Sequence, residues 1–233
     1  MNSLPLAYRA LVIGAGGGIG SALVDALAAD PRCASVTALS RRSEPPLDYD
    51  QPDSVAAAAA ALREQAPFHL IVCATGALHL GHTGPEKRLA DIEAQTLSCA
   101  FTINSIGPAL VLRHFHALLA RHERALLGVL SARVGSIGDN RKGGWYGYRA
   151  SKAALNMLVR TAAIEVARQR PLAVLAALHP GTVATGLSAP VIGSDGPATA
   201  PADAARHLLA VLDGLTPEDS GCFRAWDGSA IPW

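Results

Sequence analysis

The chain has 233 residues, half of them hydrophobic, and a formal net charge of +1. That length fits one sizeable α/β domain, residues 1–233, and is short for two. The near-neutral balance gives no electrostatic reason to expect nucleic acid or an anionic membrane as partner. No apolar run reaches the length of a membrane span. Met1 to Arg9 has no positive stretch followed by an apolar one, so no secretory signal is expected. Cys33, Cys73, Cys99 and Cys222 show no C-x-x-C spacing. They read as reduced, structural thiols of a cytoplasmic protein.

In chain order, strands are predicted at Ala10–Ile13, Val36–Leu39, Leu47–Tyr49, His69–Cys73, Leu126–Leu130, Leu172–Leu178 and Cys222–Trp226. Helices are predicted to begin near Gly18, Pro52, Asp91, Trp145 and Ala202. The run Ala56–Ala61 is low in complexity but is a strong helix former. The alternation predicts a Rossmann-type, doubly wound parallel sheet of about seven strands, with helices on both faces. Glycine and proline cluster between Pro180 and Pro201, which predicts a mobile loop over 186–200.

Two motifs carry chemistry. Gly14-Ala15-Gly16-Gly17-Gly18-Ile19-Gly20 follows an apolar strand and opens an amphipathic helix. That arrangement sets backbone N–H groups against a pyrophosphate at a helix N-terminus. The glycines fit G-x-x-x-G-x-G, with Ile19 where the ordinary dinucleotide fingerprint needs glycine. Tyr148 and Lys152 are four residues apart, one turn apart on the same face of a helix. A nearby ammonium favours the phenolate, by roughly 3–4 kcal/mol at an effective dielectric near 20 before desolvation. That would bring a tyrosine into the range of general acid–base catalysis.

With these motifs the chain resembles the single-domain branch of the short-chain dehydrogenase/reductase family, over nearly its whole length. Gly14, Gly18 and Gly20 match the cofactor loop, in which Ile19 is included. Tyr148 and Lys152 match the catalytic pair, and Asn104 matches the helix asparagine of the site. His179-Pro180-Gly181-Thr182-Val183-Ala184-Thr185 looks like the Pro-Gly segment beside the nicotinamide. The stretch from Ser131 to Lys152 and the ending Asp227–Trp233 look closest to C-factor and Sniffer-like carbonyl reductases. Cys73-Ala74-Thr75-Gly76 stands where the family has Asn-Asn-Ala-Gly, so both asparagines are missing.

The resemblance implies a site. Gly14, Gly18, Ile19, Gly20, Gly76, Pro180, Gly181, Val183 and Thr185 would hold the dinucleotide, with Thr185 on the carboxamide. Asp48 matches the position that bonds the adenine amine. Ser40 stands where NAD-preferring enzymes carry an acid, and Arg41 and Arg42 follow it. An arginine fork suits a 2′-phosphate, which favours NADP(H) over NAD(H), through Arg41 with help from Ser40. Tyr148 would donate a proton to a carbonyl oxygen. Lys152 would tune Tyr148 and grip the nicotinamide ribose, and Asn104 would complete the relay. Ser131 and Ser136 compete to orient the carbonyl, and Ser131, directly after its strand, is preferred.

The expected activity is interconversion of a small-molecule carbonyl and an alcohol, in a homodimer or homotetramer without a metal. A non-catalytic NADP(H)-binding signalling or sensor protein is the alternative. Epimerase or dehydratase chemistry fits less well, because little chain follows Thr185. Leu78, Val134, Trp145 and Leu187 are candidates for an apolar substrate wall.

Overall fold

The computed structural model describes residues 1–80, 84–189 and 198–233. Part of the loop expected over 186–200, residues 190–197, lies outside the described residues. Six strands form one sheet: β1 (Tyr8–Ile13), β2 (Cys33–Leu39), β3 (Leu70–Cys73), β4 (Ala125–Leu130), β5 (Ala173–His179) and β6 (Cys222–Ala225). They lie in the order β2-β1-β3-β4-β5-β6, and every pair is parallel.

The side-chain period of two splits the strands cleanly. Leu11, Ile13, Ile71, Leu127, Val129 and Leu175 face one side. There they meet α2 (Pro52–Ala61), α4 (Gly107–Phe115) and α5 (Tyr146–Ala167) through Val55, Val111, Phe115, Leu155 and Val159. Ala10, Val12, Leu70, Val72, Leu126 and Val174 face the other side. They meet α1 (Gly18–Ala28) and α6 (Pro201–Gly214) through Leu23, Leu27, Leu208 and Leu212. Strands buried on both faces read as the continuous apolar runs seen in the sequence. α3 (Ala94–Phe101) runs into α4 through a π-helical turn at Thr102–Ile106.

The seventh strand expected at Leu47–Tyr49 does not form. Pro45 and Pro46 precede it and have no N–H to give a ladder. Leu47 N–H bonds the Ser40 carbonyl, and Asp48 N–H bonds Ser54 Oγ at the start of α2. The segment is a connector that drops Leu47 into the core. The third helix begins at Ala94 and not at Asp91, after a short turn at Leu89–Asp91.

Tyr49 then packs its ring on the backbone of Gly107. A Cβ at Gly107 would overlap the Tyr49 ring. Alanine gains up to about 1 kcal/mol of helix propensity over glycine. Overpacking a buried contact costs about 1–3 kcal/mol. Here the ring is held by a hydrogen bond between its hydroxyl and Thr75 Oγ1 at 2.9 Å, so the clash dominates. Gly107→Ala should lower unfolding stability by about 1–2 kcal/mol in urea denaturation, and an unchanged midpoint would contradict this packing.

Candidate active site

The sheet order reverses about β1, and in such sheets ligands bind beyond the carboxyl ends of the strands. Gly14, at φ +87°, turns the chain out of β1. Gly14 and Ala15 both give their N–H to the Leu39 carbonyl at the end of β2. A Cβ at Gly20 would overlap the Gly14 carbonyl oxygen, so the loop folds tightly onto the start of α1. Gly17 precedes that helix without a side-chain cap, and the first turn carries no acid. Unsatisfied N–H groups at such an end suit an anion. Across the loop, Thr185 closes in: a Cβ at Gly18 would lie 2.7 Å from Thr185 Cγ2. The glycine loop and the Pro-Gly segment are therefore neighbours, as one bound dinucleotide requires.

Ser40 lies beside the same loop, with its Cβ 3.8 Å from where a Gly16 Cβ would be. Arg41 is exposed. It forms no ion pair among the described residues. Asp48 is half-buried, and its Oδ1 accepts the Asp50 N–H at 3.2 Å. None of these three residues lines the cavity that contains Tyr148 and Lys152.

That cavity is about 240 Å³ and is lined by Ile19, Gly76, Ser131, Tyr148, Lys152 and Thr185, with Pro180, Gly181 and Val183. Its apolar wall contains Leu78, Val134, Trp145 and Leu187, all four of the residues expected there. Lys152 is 2% exposed and donates from Nζ to the Leu130 carbonyl at 3.0 Å, with Nζ 5.9 Å from the Tyr148 ring centre. Gly76 allows this depth: a Cβ there would lie 3.3 Å from Lys152 Nζ and 3.4 Å from Asn104 Oδ1. Asn104 is 0% exposed, within the π-helical turn. Its Oδ1 accepts the Ala77 N–H, its Nδ2 donates to the Ala77 carbonyl, both at 2.9 Å, and Nδ2 also reaches Ser151 Oγ at 3.3 Å.

Ser131 reaches the cavity wall, but its hydroxyl donates to Asn156 Oδ1 at 2.6 Å, with both residues buried. Asn156 is one turn beyond Lys152 on the face that carries Tyr148. Ser136 does not line the cavity, and its Oγ accepts the Asp139 N–H. Where the family's two asparagines are missing, Tyr49, Cys73 and Thr75 form a local cluster. Tyr49 Oη lies 2.9 Å from Thr75 Oγ1, and Cys73 Sγ lies 3.2 Å from that same oxygen.

Three residues around the site are given no individual role by the sequence. His179, at the end of β5, lines the cavity, and burial, then Arg133, pushes its imidazole down to about 4, so it is neutral at ordinary pH. Glu86 is 6% exposed and accepts the Gly147 N–H at 3.1 Å at the start of α5. Asn156 is the third. Their partners are remote in sequence, and only Glu86 in a helix-capping role follows a local rule once the pair is known.

The sequence argument expects Lys152 to lower the Tyr148 pKa, and the protein's own groups do the opposite. Burial pushes Tyr148 up to about 12. Burial also pushes Lys152 down to about 8, with Cys73 opposing. Burial is the leading cause at both groups, and the ammonium is turned to the Leu130 carbonyl. The sign for stability follows. Between about 8 and 10.5 the folded chain binds fewer protons than the unfolded one, so stability rises with pH there. Below that window the folded state carries the full cost, about 3 kcal/mol. Lys152→Met should therefore be more stable than the parent near neutral pH, with the gap closing as pH rises through the window. Urea denaturation at several pH values measures this, and a gap independent of pH would refute it.

No helix among the described residues is long and apolar enough to cross a membrane. No group of three metal-ligating side chains occurs among them. A family model described as enoyl-(acyl carrier protein) reductase matches residues 15–219. C-signal of Myxococcus xanthus is 38% identical over 154 residues, 66% of this chain and 88% of that protein. A 1-hydroxy-2-glutathionyl-2-methyl-3-butene dehydrogenase of Rhodococcus sp. (strain AD45) is 35% identical over 195 residues, 82% of this chain and 80% of that one. The NADPH-bound carbonyl reductase from chicken fatty liver superposes with TM-score 0.84 at 26% identity, covering 99% of this chain and 95% of that one. The carbonyl reductase Sniffer of D. melanogaster gives 0.83 at 21% identity, covering 98% and 100%, and shares the fold. A family match across most of the length, on a parallel sheet with a glycine loop and a Tyr/Lys helix, places this chain in the short-chain dehydrogenase/reductase family of oxidoreductases.

Proposed function

We propose that this chain is an NADPH-dependent reductase that interconverts a carbonyl and an alcohol. The observation that carries the reading is the convergence of Tyr148, Lys152 and Ser131 with the glycine loop and Pro-Gly segment on one cavity. The cradle fits a dinucleotide: an uncapped helix start, glycines pressed to backbone, and an exposed Arg41 beside Ser40. Gly14, Gly18, Ile19 and Gly20 would hold the pyrophosphate, Asp48 the adenine, and Gly76, Pro180, Gly181, Val183 and Thr185 the nicotinamide half. The bound cofactor supplies the hydride, and the protein supplies position and proton transfer.

Tyr148 gives its hydroxyl proton to the substrate oxygen. A phenol raised by burial keeps that proton until the reaction needs it. Lys152, fixed by the Leu130 carbonyl, places a positive charge where phenolate develops and stabilises that charge. Ser131 contributes by turning its hydroxyl from Asn156 to the substrate oxygen. Asn104 fixes the backbone at Ala77 and so the wall behind Gly76. The apolar side of the cavity suits a carbonyl with an apolar body. A panel of aldehydes, ketones and quinones, followed by loss of NADPH absorbance, identifies it. Exposed Ile106 in the π-helical turn and Met157 and Ile164 on α5 support a homo-oligomer as the working form.

The likeness to C-signal supports a second reading, an NADP(H)-binding signalling protein. Tyr148→Phe separates the two. It removes one oxygen from a ring packed at 6.3 Å from Trp145 and leaves the packing. Turnover should fall by about 10²–10⁴-fold while NADPH still binds. Ser131→Ala should lose roughly 10²-fold and Ser136→Ala much less. A near-normal Ser131→Ala would leave that hydroxyl as a sheet-to-helix tie only, and a near-normal Tyr148→Phe would end the proton-donor assignment.

Cofactor choice follows Arg41. NADPH should bind more tightly than NADH, and Arg41→Ala should remove most of that margin. Equal affinity of the unmodified protein for both, by fluorescence titration, would sink the preference.

A further inference from the structure

The proton chemistry above leaves one buried carboxylate without a role. We propose that Glu86 is a positioning residue for Tyr148, clamping the first turn of α5 so that the phenol stands at a fixed height in the cavity wall. The inference rests on Tyr148 as proton donor.

Helix α5 has no cap of its own. Trp145 precedes it in the left-handed region, at φ 55° and ψ 45°, with no side-chain bond to the helix. Glu86 supplies what is missing. Its backbone carbonyl accepts the Trp145 N–H, and its Oε2 accepts the Gly147 N–H at 3.1 Å. Gly147 directly precedes Tyr148. A Cβ on Gly147 would lie 2.8 Å from Glu86 Oε1 and 3.2 Å from Leu97 Cδ2, so a side chain there would push the carboxylate and α3 away. With Tyr148 and Asn104, Glu86 also lines a second cavity of about 10 Å³.

A serine or asparagine at the N-cap position would make the same kind of bond within the helix itself. What the longer reach of Glu86 adds is a fixed link between the start of α5 and the segment beside it, 61 residues earlier. Tyr148 then lies between two anchors. Glu86 fixes the turn above it, and the Lys152 bond to Leu130 fixes the turn below.

The test compares three variants in the NADPH-bound enzyme. Glu86→Gln keeps an oxygen for Gly147 and should hold kcat within about threefold of the parent. Glu86→Asp withdraws the oxygen by one methylene, and Glu86→Ala removes it. Both should lower kcat on the order of 10–100-fold, the loss expected for a misplaced reacting group, while the NADPH Kd stays within about twofold. If Glu86→Ala does not fold, Glu86→Asp carries the comparison. Equal kcat for Glu86→Asp and Glu86→Gln would overturn the proposal, as would a matching loss of NADPH affinity, which marks general damage. Tyr148→Phe is assayed alongside. If it stays active the proton-donor reading fails, whereas an inactive Tyr148→Phe with normal Glu86→Asp removes only the clamp.

Discussion

The burial of the Lys152 ammonium sets the terms for the rest of the site. A charge at 2% exposure is costly unless something polar receives it, and the receiver here is the Leu130 carbonyl, at the end of β4. To make that bond, α5 must lie close against the strand ends. Glycines allow it: Gly76 under the ammonium, Gly135 against the Lys152 backbone, and Gly147 against Glu86. At Gly135 a Cβ would sit 2.8 Å from the Lys152 carbonyl carbon. Lys152 thus limits residue size at Gly76 and Gly135, and Glu86 does so at Gly147. The same depth sets the ammonium 5.9 Å from the Tyr148 ring centre.

The crevice shows how the space at a changed motif is filled. Without the two asparagines, the end of β3 keeps only small groups, Cys73 and Thr75. Tyr49 reaches in from the connector before α2 and supplies an oxygen to both. Its ring needs a flat surface, and Gly107 provides one at the start of α4. The lost polar bridge is replaced by an aromatic side chain from the segment that fails to form a seventh strand. Failure of the strand and filling of the crevice are therefore one event: a paired strand would have held Tyr49 at the sheet edge.

Much of this was legible in the sequence, for a physical reason in each case. Strand runs such as Leu70–Cys73 are continuous because both faces are covered, and no tertiary contact is needed to see them. The glycine loop and the Tyr148/Lys152 pair are local patterns whose geometry is fixed by helix and turn. The prolines at 45 and 46 were equally visible, and their lack of N–H outweighs the apolar look of Leu47–Tyr49. What could not be read is long-range or depends on depth. Ser131 was placed on the correct strand end, yet its hydroxyl follows Asn156, 25 residues on. Spacing reveals the charge beside Tyr148 but not the burial that raises the phenol and lowers the amine.

Desolvation also explains why the groups divide their work as proposed. With protein groups alone, a phenol held up to about 12 and an amine brought down to about 8 are both biased toward neutrality. Near neutral pH the tyrosine therefore holds its proton, while the lysine, at about 8, still carries its charge. Proton loss from Tyr148 creates a phenolate, which favours the charged lysine, so the two ionisations support each other only during reaction. His179 follows the same logic. Its buried Nδ1 has no hydrogen-bond partner among the described residues, and an imidazole pushed to about 4 stays neutral beside Arg133. It therefore adds no competing positive charge to the wall opposite Lys152. The site keeps one convertible charge pair and excludes others by burial.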